Sequence, residues 1–149
     1  MIIREMTSED IKSVAEIEKL SFTHPWSEEN LRDSFNSVCN HFYISQNENK
    51  VVGYIGFTVV ADESYILNVA VHPDFQGQGI GKALVEKTVN YAVENSLAFV
   101  TLEVRESNSK AIRLYGYFDF EEVGKRKGYY SNPKEDAILM TRYFNSIKE

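Results

Sequence analysis

Hydrophobic positions along the 149-residue chain change period several times, and each change marks an element. Met1 to Met6 reads as a short edge strand. Thr7-Ser8-Glu9-Asp10 then offers a helix cap with acids in its first turn. Ile11, Val14, Ala15, Ile17 and Leu20 follow at helical spacing, which predicts a helix to about Leu20. The stretch Ser21 to Trp26 is a loop broken by Pro25. Ser27 caps a second helix with Glu28 and Glu29 in its first turn and Leu31 and Phe35 as its apolar side. Phe42 to Ser45 and Lys50 to Val60 are β-rich runs around a polar turn, and Ala61 to Ser64 turns into a strand ending at Leu67 to Val71. After a glycine-studded stretch, Ile80, Ala83, Leu84, Thr88, Tyr91 and Ala92 recur at 3.6 spacing, and that helix ends near Asn95. Phe99 to Val104 is a strand, and Asn108 sits in the capping turn of a short helix carrying Ala111, Leu114, Tyr115 and Phe118. Glu121 to Lys127 and Ala137 to Phe144 read as closing strands, separated by a polar loop that contains Tyr129, Tyr130, Asn132 and Pro133. The expected order is β, two helices, three strands, helix, strand, helix, two strands: a mixed α/β chain, 1–149, of one domain.

The residues between the central strand and the long helix carry the sharpest chemical signal. Gly77, Gly79 and Gly81 alternate with Gln78 and Ile80, ahead of Lys82. Glycine permits positive φ and close approach to the backbone, and a helix start presents unpaired N–H groups at the positive end of its dipole. Such a stretch suits a phosphate. A nucleotide P-loop ending at Gly81-Lys82 needs glycine at 76 and Ser or Thr at 83, where the chain has Gln76 and Ala83. A dinucleotide fingerprint from Gly77 needs glycine at 82, and it belongs after the first strand of a βαβ unit rather than in mid-chain. Neither fits.

Composition narrows the classes further. No run of about 18 apolar residues exists, so no membrane span is expected, and the acidic start MIIREMTSED lacks a leader pattern, which points to the cytoplasm. A net charge of −6 argues against nucleic acid as a partner and is compatible with a cationic substrate. Cys39 is the single cysteine, which excludes an intrachain disulfide, and nothing in the spacing of ligand-type residues suggests a metal.

Several residues stand out with two readings each. Glu103 lies in the apolar run Val100 to Val104, sharing a strand face with Phe99, Thr101 and Arg105, so it is either the ion-pair partner of Arg105 or a general base. Asn108 is a helix cap, a ligand-binding amide at the mouth of a site, or both. Tyr115 is a core tyrosine or a hydroxyl aimed at a reacting group. Trp26, Tyr129 and Tyr130, placed in loops, form a contact surface or cover the core. The three histidines, His24, His41 and His72, read as surface or capping residues.

The pattern Gln76-x-x-Gly79-x-Gly81 after Val71-x-Pro73 resembles the coenzyme A pyrophosphate loop of the GNAT family of N-acetyltransferases. The likeness extends over nearly the whole chain, through Pro25-Trp26-Ser27, Asn68-Val69-Ala70-Val71, Leu102-Glu103-Val104-Arg105-x-Ser107-Asn108, Ala111-Ile112-x-Leu114-Tyr115, Tyr129-Tyr130 and Glu135-Asp136-Ala137-Ile138-x-Met140. Within the family it is most similar to the branch that acetylates the N-terminal alanine of a ribosomal protein. The resemblance implies a twisted, mostly antiparallel sheet of about seven strands, splayed between the fourth and fifth and flanked by four helices. It implies acetyl-CoA as cosubstrate and a protein N-terminus as acceptor. Val69, Ala70 and Val71 would meet the pantetheine arm together with Asn108, and Gln76, Gly77, Gln78, Gly79, Ile80, Gly81 and Lys82 would hold the pyrophosphate. Glu103 would be the general base and Tyr115 the general acid, with Trp26 and Tyr130 on the acceptor. Other amines (an internal lysine, a polyamine or an antibiotic) and a non-catalytic acyl-CoA-binding regulator are the alternatives. The family usually ends the helix after its catalytic tyrosine with glycine. Here Asp119 stands in that place, and the aim of Tyr115 depends on whether the helix still ends there.

Magnitudes constrain the chemistry. A peptide α-amine titrates near 7.7–8.0 and a glutamate near 4.3, so direct proton transfer across about 3.5 units would cost about 5 kcal/mol. A glutamate base must therefore be raised by apolar surroundings or act through water. A tyrosine near 10 could protonate a thiolate near 8.5 at modest mismatch.

Overall fold

The computed structural model describes residues 1–144. Seven strands form one sheet: β1 (Ile2–Glu5), β2 (Asn40–Asn47), β3 (Lys50–Val60), β4 (Glu63–Val71), β5 (Phe99–Arg105), β6 (Glu121–Tyr130) and β7 (Glu135–Tyr143), in the spatial order β1-β2-β3-β4-β5-β7-β6. Every neighbouring pair is antiparallel except β4 and β5. That pair is parallel because its connection is a helical crossover, which antiparallel hairpins do not need. Four α-helices are described: α1 (Ile11–Ser21), α2 (Glu28–Phe35), α3 (Ile80–Glu94) and α4 (Ser109–Tyr117). Two cores lie on opposite faces of the sheet. One packs α3 and α4 through Leu84, Val85, Tyr115 and Phe118 onto Ile55, Phe57, Leu102 and Met140. The other packs α1 and α2 through Ile11, Val14, Ile17 and Leu31 onto Phe42, Ile44, Tyr54 and Ala70. Among the described residues no helix is long and apolar enough to cross a membrane.

Parallel pairing between β4 and β5 is brief. Only Glu63, Ser64 and Tyr65 meet Phe99, Val100 and Thr101; beyond Tyr65 the strands part, while β5 continues along β7 to Arg105. The register of β4 on β3 also slips between Gly56 and Phe57, so Leu67 is an extra residue in β4. Such a bulge bends the strand and re-aims its side chains. Ile66 and Val69 accordingly pack on the α3 face, while Leu67 and Ala70 pack on the α1 face.

The sequence pattern and the structure differ at four places. The buried side of α1 is Ile11, Val14, Ala15, Ile17 and Glu18, whereas Leu20 is 56% exposed. Glu18 lies four residues past Val14 and seven past Ile11, so helical geometry turns it inward whatever its charge. The long helix buries Val85 and Val89 more deeply than Tyr91. Tyr129 and Tyr130 belong to the end of β6 rather than to a loop. His41 is half-buried, stacked on Phe57 with ring centroids 5.4 Å apart and 3.3 Å from the Tyr91 hydroxyl, instead of lying at the surface.

The end of α4 decides the orientation of Tyr115. Asp119 takes the left-handed conformation, φ 66°, that glycine would supply. Its N–H donates to Gly116 at 3.0 Å and that of Phe120 donates to Tyr115 at 3.1 Å, while the Phe120 ring packs 5.8 Å from the Tyr115 ring. These bonds and that apolar contact make a complete Schellman termination. Arg142 adds a cation at the same end, donating to the Phe118 carbonyl at 3.0 Å. The helix therefore ends in register despite the missing glycine.

A left-handed residue other than glycine is strained by about 1–2 kcal/mol, and glycine's larger unfolded-state entropy offsets part of that. Asp119→Gly should therefore raise the denaturant midpoint by the equivalent of up to about 1 kcal/mol. At Gly56 a Cβ would lie 2.3 Å from the buried Phe42 ring. Gly56→Ala should cost about 1–3 kcal/mol by overpacking, read from the same denaturation curves.

Candidate active site

A cleft of about 730 Å³ opens where β4 and β5 part. Its walls come from the loop after α1 (Phe22, His24, Trp26), from β4, from β5, from α4 and from the end of β6. Glu103, Tyr115, Asn108, Val69, Trp26 and Tyr130 all line it, so residues up to 104 positions apart in sequence, Trp26 and Tyr130, face one space. Ligands of open α/β sheets bind where strands separate at their carboxyl ends, and this parting is such a place.

The open edge of β4 follows from strand alternation. The N–H of His72 donates to Val52 on β3 at 2.8 Å. Alternation then turns the N–H and C=O of Ala70 toward β3 as well, and those of Val69 and Val71 toward the gap. Ala70 thus faces away from the site, its side chain in the α1–α2 core and its backbone on Tyr54. Gln76 reaches back from the next turn and donates to the Val71 carbonyl at 3.3 Å.

The glycine stretch starts α3. Gly77 and Gly79 have φ of 80° and 81°, with no heavy atom within 4 Å of where a Cβ would stand, so backbone conformation rather than space demands glycine there. Gly79 caps the helix, and the first intrahelical bond runs from Ala83 N–H to Gly79 C=O at 3.0 Å. The N–H groups of Ile80, Gly81 and Lys82 therefore have no intrahelical acceptor and point out of the helix start. The Ile80 side chain is buried, so its backbone alone can meet a ligand. The ammonium of Lys82 lies 3.9 Å from the centre of the Tyr117 ring.

Glu103 does not pair with Arg105. Arg105 instead binds Glu135 at 3.1 Å, donates to the carbonyls of Ser131 and Pro133 at 3.0 Å each, and stacks 4.5 Å from the centre of the Tyr130 ring. It holds the β6–β7 turn and the Tyr130 wall. Glu103, with a side chain only 7% exposed, accepts from the Tyr65 hydroxyl and pairs with the more exposed Arg126 guanidinium. Burial first, and the bond to Glu103 second, push the Tyr65 phenol far up. Burial and the Glu103 charge raise the Tyr130 phenol to about 12. Tyr65 and Arg126 were not singled out from the sequence. Alternation on β4 offered no way to see Tyr65 beside Glu103, 38 positions away. Glu103 is thus set between a phenol donor and a guanidinium.

Asn108 caps α4, its side-chain oxygen accepting from Ala111 N–H at 3.1 Å, and it also lines the cleft. The helix-cap expectation holds. Tyr115 is 5% exposed, and burial, with the nearby Tyr130, pushes its phenol well above the usual value. His72 is a capping residue, accepting from the Asp74 N–H at 3.1 Å.

A helix start with free N–H groups, a strand edge without a partner strand, and a carboxylate and a phenol lining one cleft are what a transferase acting on a phosphate-bearing substrate needs. The sequence profile of the GNAT acetyltransferase family matches residues 11–120, and the chain belongs to that family. It is 35% identical over 140 residues to the ribosomal protein bS18-alanine N-acetyltransferase of Escherichia coli, covering 93% of this chain and 94% of that one. The Haemophilus influenzae protein of the same name is 34% identical over 145 residues, covering 95% and 98%. The crystal structure of the Escherichia coli ribosomal-protein-S18-alanine N-acetyltransferase superposes with a TM-score of 0.92 at 31% identity, over 99% of this chain and 96% of that one.

Family membership implies acetyl-CoA as cosubstrate, and the cradle fits its pyrophosphate. Gly79→Ala forces alanine into the left-handed region at about 1–2 kcal/mol. Isothermal titration should show acetyl-CoA affinity falling about tenfold, with a lower thermal midpoint. At Gly81 a Cβ would meet its neighbours at 3.7 Å, ordinary contact. Gly81→Ala should keep the midpoint and still weaken binding if the cofactor lies against that backbone.

Proposed function

We propose that the protein transfers the acetyl group of acetyl-CoA to the N-terminal α-amine of a protein, the N-terminal alanine of ribosomal protein bS18, as a single acetyltransferase domain (1–149) acting in the cytoplasm. The observation that carries this reading is Glu103 and Tyr115 lining one cleft beside the open edge of β4. The extended similarity to the bS18-alanine acetyltransferases supports the choice of acceptor.

When bound, acetyl-CoA supplies an activated acetyl group, and the chain's residues do the rest. The N–H groups at the start of α3 hold the pyrophosphate, and the edge of β4 at Val69 and Val71 holds the pantetheine as an added strand would. An N–H of that edge polarises the reacting carbonyl. Glu103, held by Tyr65 and Arg126, accepts the proton of the attacking amine through a water. Tyr115 returns a proton to the departing sulfur. Burial makes that phenol a weaker acid, but the same dry surroundings disfavour a free thiolate, which keeps the transfer feasible. Trp26 and Tyr130 flank the acceptor from opposite walls. This division of labour disfavours a non-catalytic acyl-CoA binder, which has no use for a carboxylate and a phenol in the cleft.

Acetyl transfer to two peptides of one basic sequence, with free and blocked N-termini, tests the acceptor. Transfer to the free form alone is expected, and equal transfer to both would move the target to lysine. Glu103→Gln should lower kcat/KM by about 10²–10⁴-fold at pH 7. The loss should shrink above pH 8, where the α-amine is already deprotonated. Unchanged turnover across pH would remove Glu103 as the base.

A further inference from the structure

Glu18 on α1 is fully buried, yet among the described residues no cationic side chain pairs with it. An unpaired carboxylate in a core is unfavourable unless several donors converge on it. Three do. The backbone N–H of Trp26 donates to Oε1 at 2.9 Å, the Asn68 side-chain amide donates to Oε2 at 2.6 Å, and the Tyr54 hydroxyl donates to Oε2 as well. Burial pushes this carboxyl up, and the bonds from Tyr54 and Trp26 pull it partly back.

The placement of the donors gives the group its meaning. Trp26 belongs to the loop between α1 and α2, and Asn68 follows the extra residue of the β4 bulge. Both line the cleft, whereas Glu18 itself does not. One carboxylate thus ties the loop wall to the strand wall from behind, and Tyr54 fixes it to β3. An apolar side chain of similar volume could fill the same space but could join neither wall.

We propose that Glu18 is a positioning residue for the acceptor: by binding Trp26 and Asn68 together it sets the width of the cleft where the acceptor's first residue lies, and it leaves the acetyl-CoA cradle untouched. This rests on the acceptor reading above.

Glu18→Gln keeps the shape and replaces one acceptor oxygen by a donor NH₂, which then faces either the Trp26 N–H or the Asn68 amide. Steady-state kinetics with the free-N-terminus peptide should show the acceptor KM rising about tenfold, with kcat and the acetyl-CoA Kd each within about twofold. Asn68→Asp added to Glu18→Gln restores complementarity, since the glutamine NH₂ then donates to the aspartate while its oxygen still accepts from Trp26. The double variant should recover the acceptor KM to within about threefold. Trp26 is the sole tryptophan, so its fluorescence reads the wall without any turnover. Acrylamide quenching should about double in Glu18→Gln and fall back in the double variant. Should Glu18→Gln fail to fold, Tyr54→Phe leaves the carboxylate two of its three donors and should raise the acceptor KM about threefold.

A lowered thermal midpoint with wild-type acceptor KM and quenching would overturn the proposal, as would acceptor KM and acetyl-CoA Kd rising together. Failure of the double variant to recover either readout would overturn it too. If the wild-type protein acetylates neither peptide, the acceptor reading fails, and quenching alone then decides whether Glu18 holds the wall.

Discussion

The parting of β4 from β5 is the constraint on which the rest of the molecule depends. Two parallel strands joined by a crossover helix would ordinarily pair along their length, and these two pair for three residues. Past Tyr65, β4 carries a bulge and turns toward β3, while β5 stays with β7. The result is an internal sheet edge at Val69 and Val71 that pairs with no neighbouring strand, its Val71 carbonyl taken by the Gln76 side chain. Exposed edges are normally covered or blunted. Here the edge faces a cleft wide enough for an extended ligand.

Two sides of that cleft are fastened from behind by an ionisable side chain. Glu18 holds the α1–α2 loop and the β4 wall. Arg105 gathers the β6–β7 turn by two carbonyls and Glu135, and supports Tyr130 by stacking. The two loops meet at the surface, where the Asn132 side chain lies 3.2 Å from His24. Loops are usually the most mobile parts of a domain. Tying each to a buried or half-buried polar group confines them.

Helix termini set the remaining geometry. The start of α3 is built by two left-handed glycines, and the end of α4 by a left-handed aspartate. The first exposes N–H groups to an anion; the second closes the helix so that Tyr115 points into the cleft with its ring against Phe120. In both cases backbone conformation, not side-chain chemistry, places the functional atoms.

Much of this was legible in the chain itself. Periodicity located every strand and helix to within a few residues, because alternation and 3.6 spacing are local properties of a half-buried element. Ser27 as a cap, the helix starting at Ile80, and the meeting of Glu103 and Tyr115 at one cleft were readable from turn chemistry, glycine spacing and family likeness. Which partner each charge takes was not. Arg105 lies two residues from Glu103 on the same strand face, yet it binds Glu135 across the sheet, while Glu103 takes Tyr65 and Arg126 from β4 and β6. Glu18 lies on the buried stripe of α1, where local pattern names no partner for it. Its donors come from residues 26, 54 and 68, brought together by the bulge and by helix packing. Local pattern is set by the geometry of a few consecutive residues; long-range pairing is decided only when the folded sheet brings distant donors within hydrogen-bonding reach.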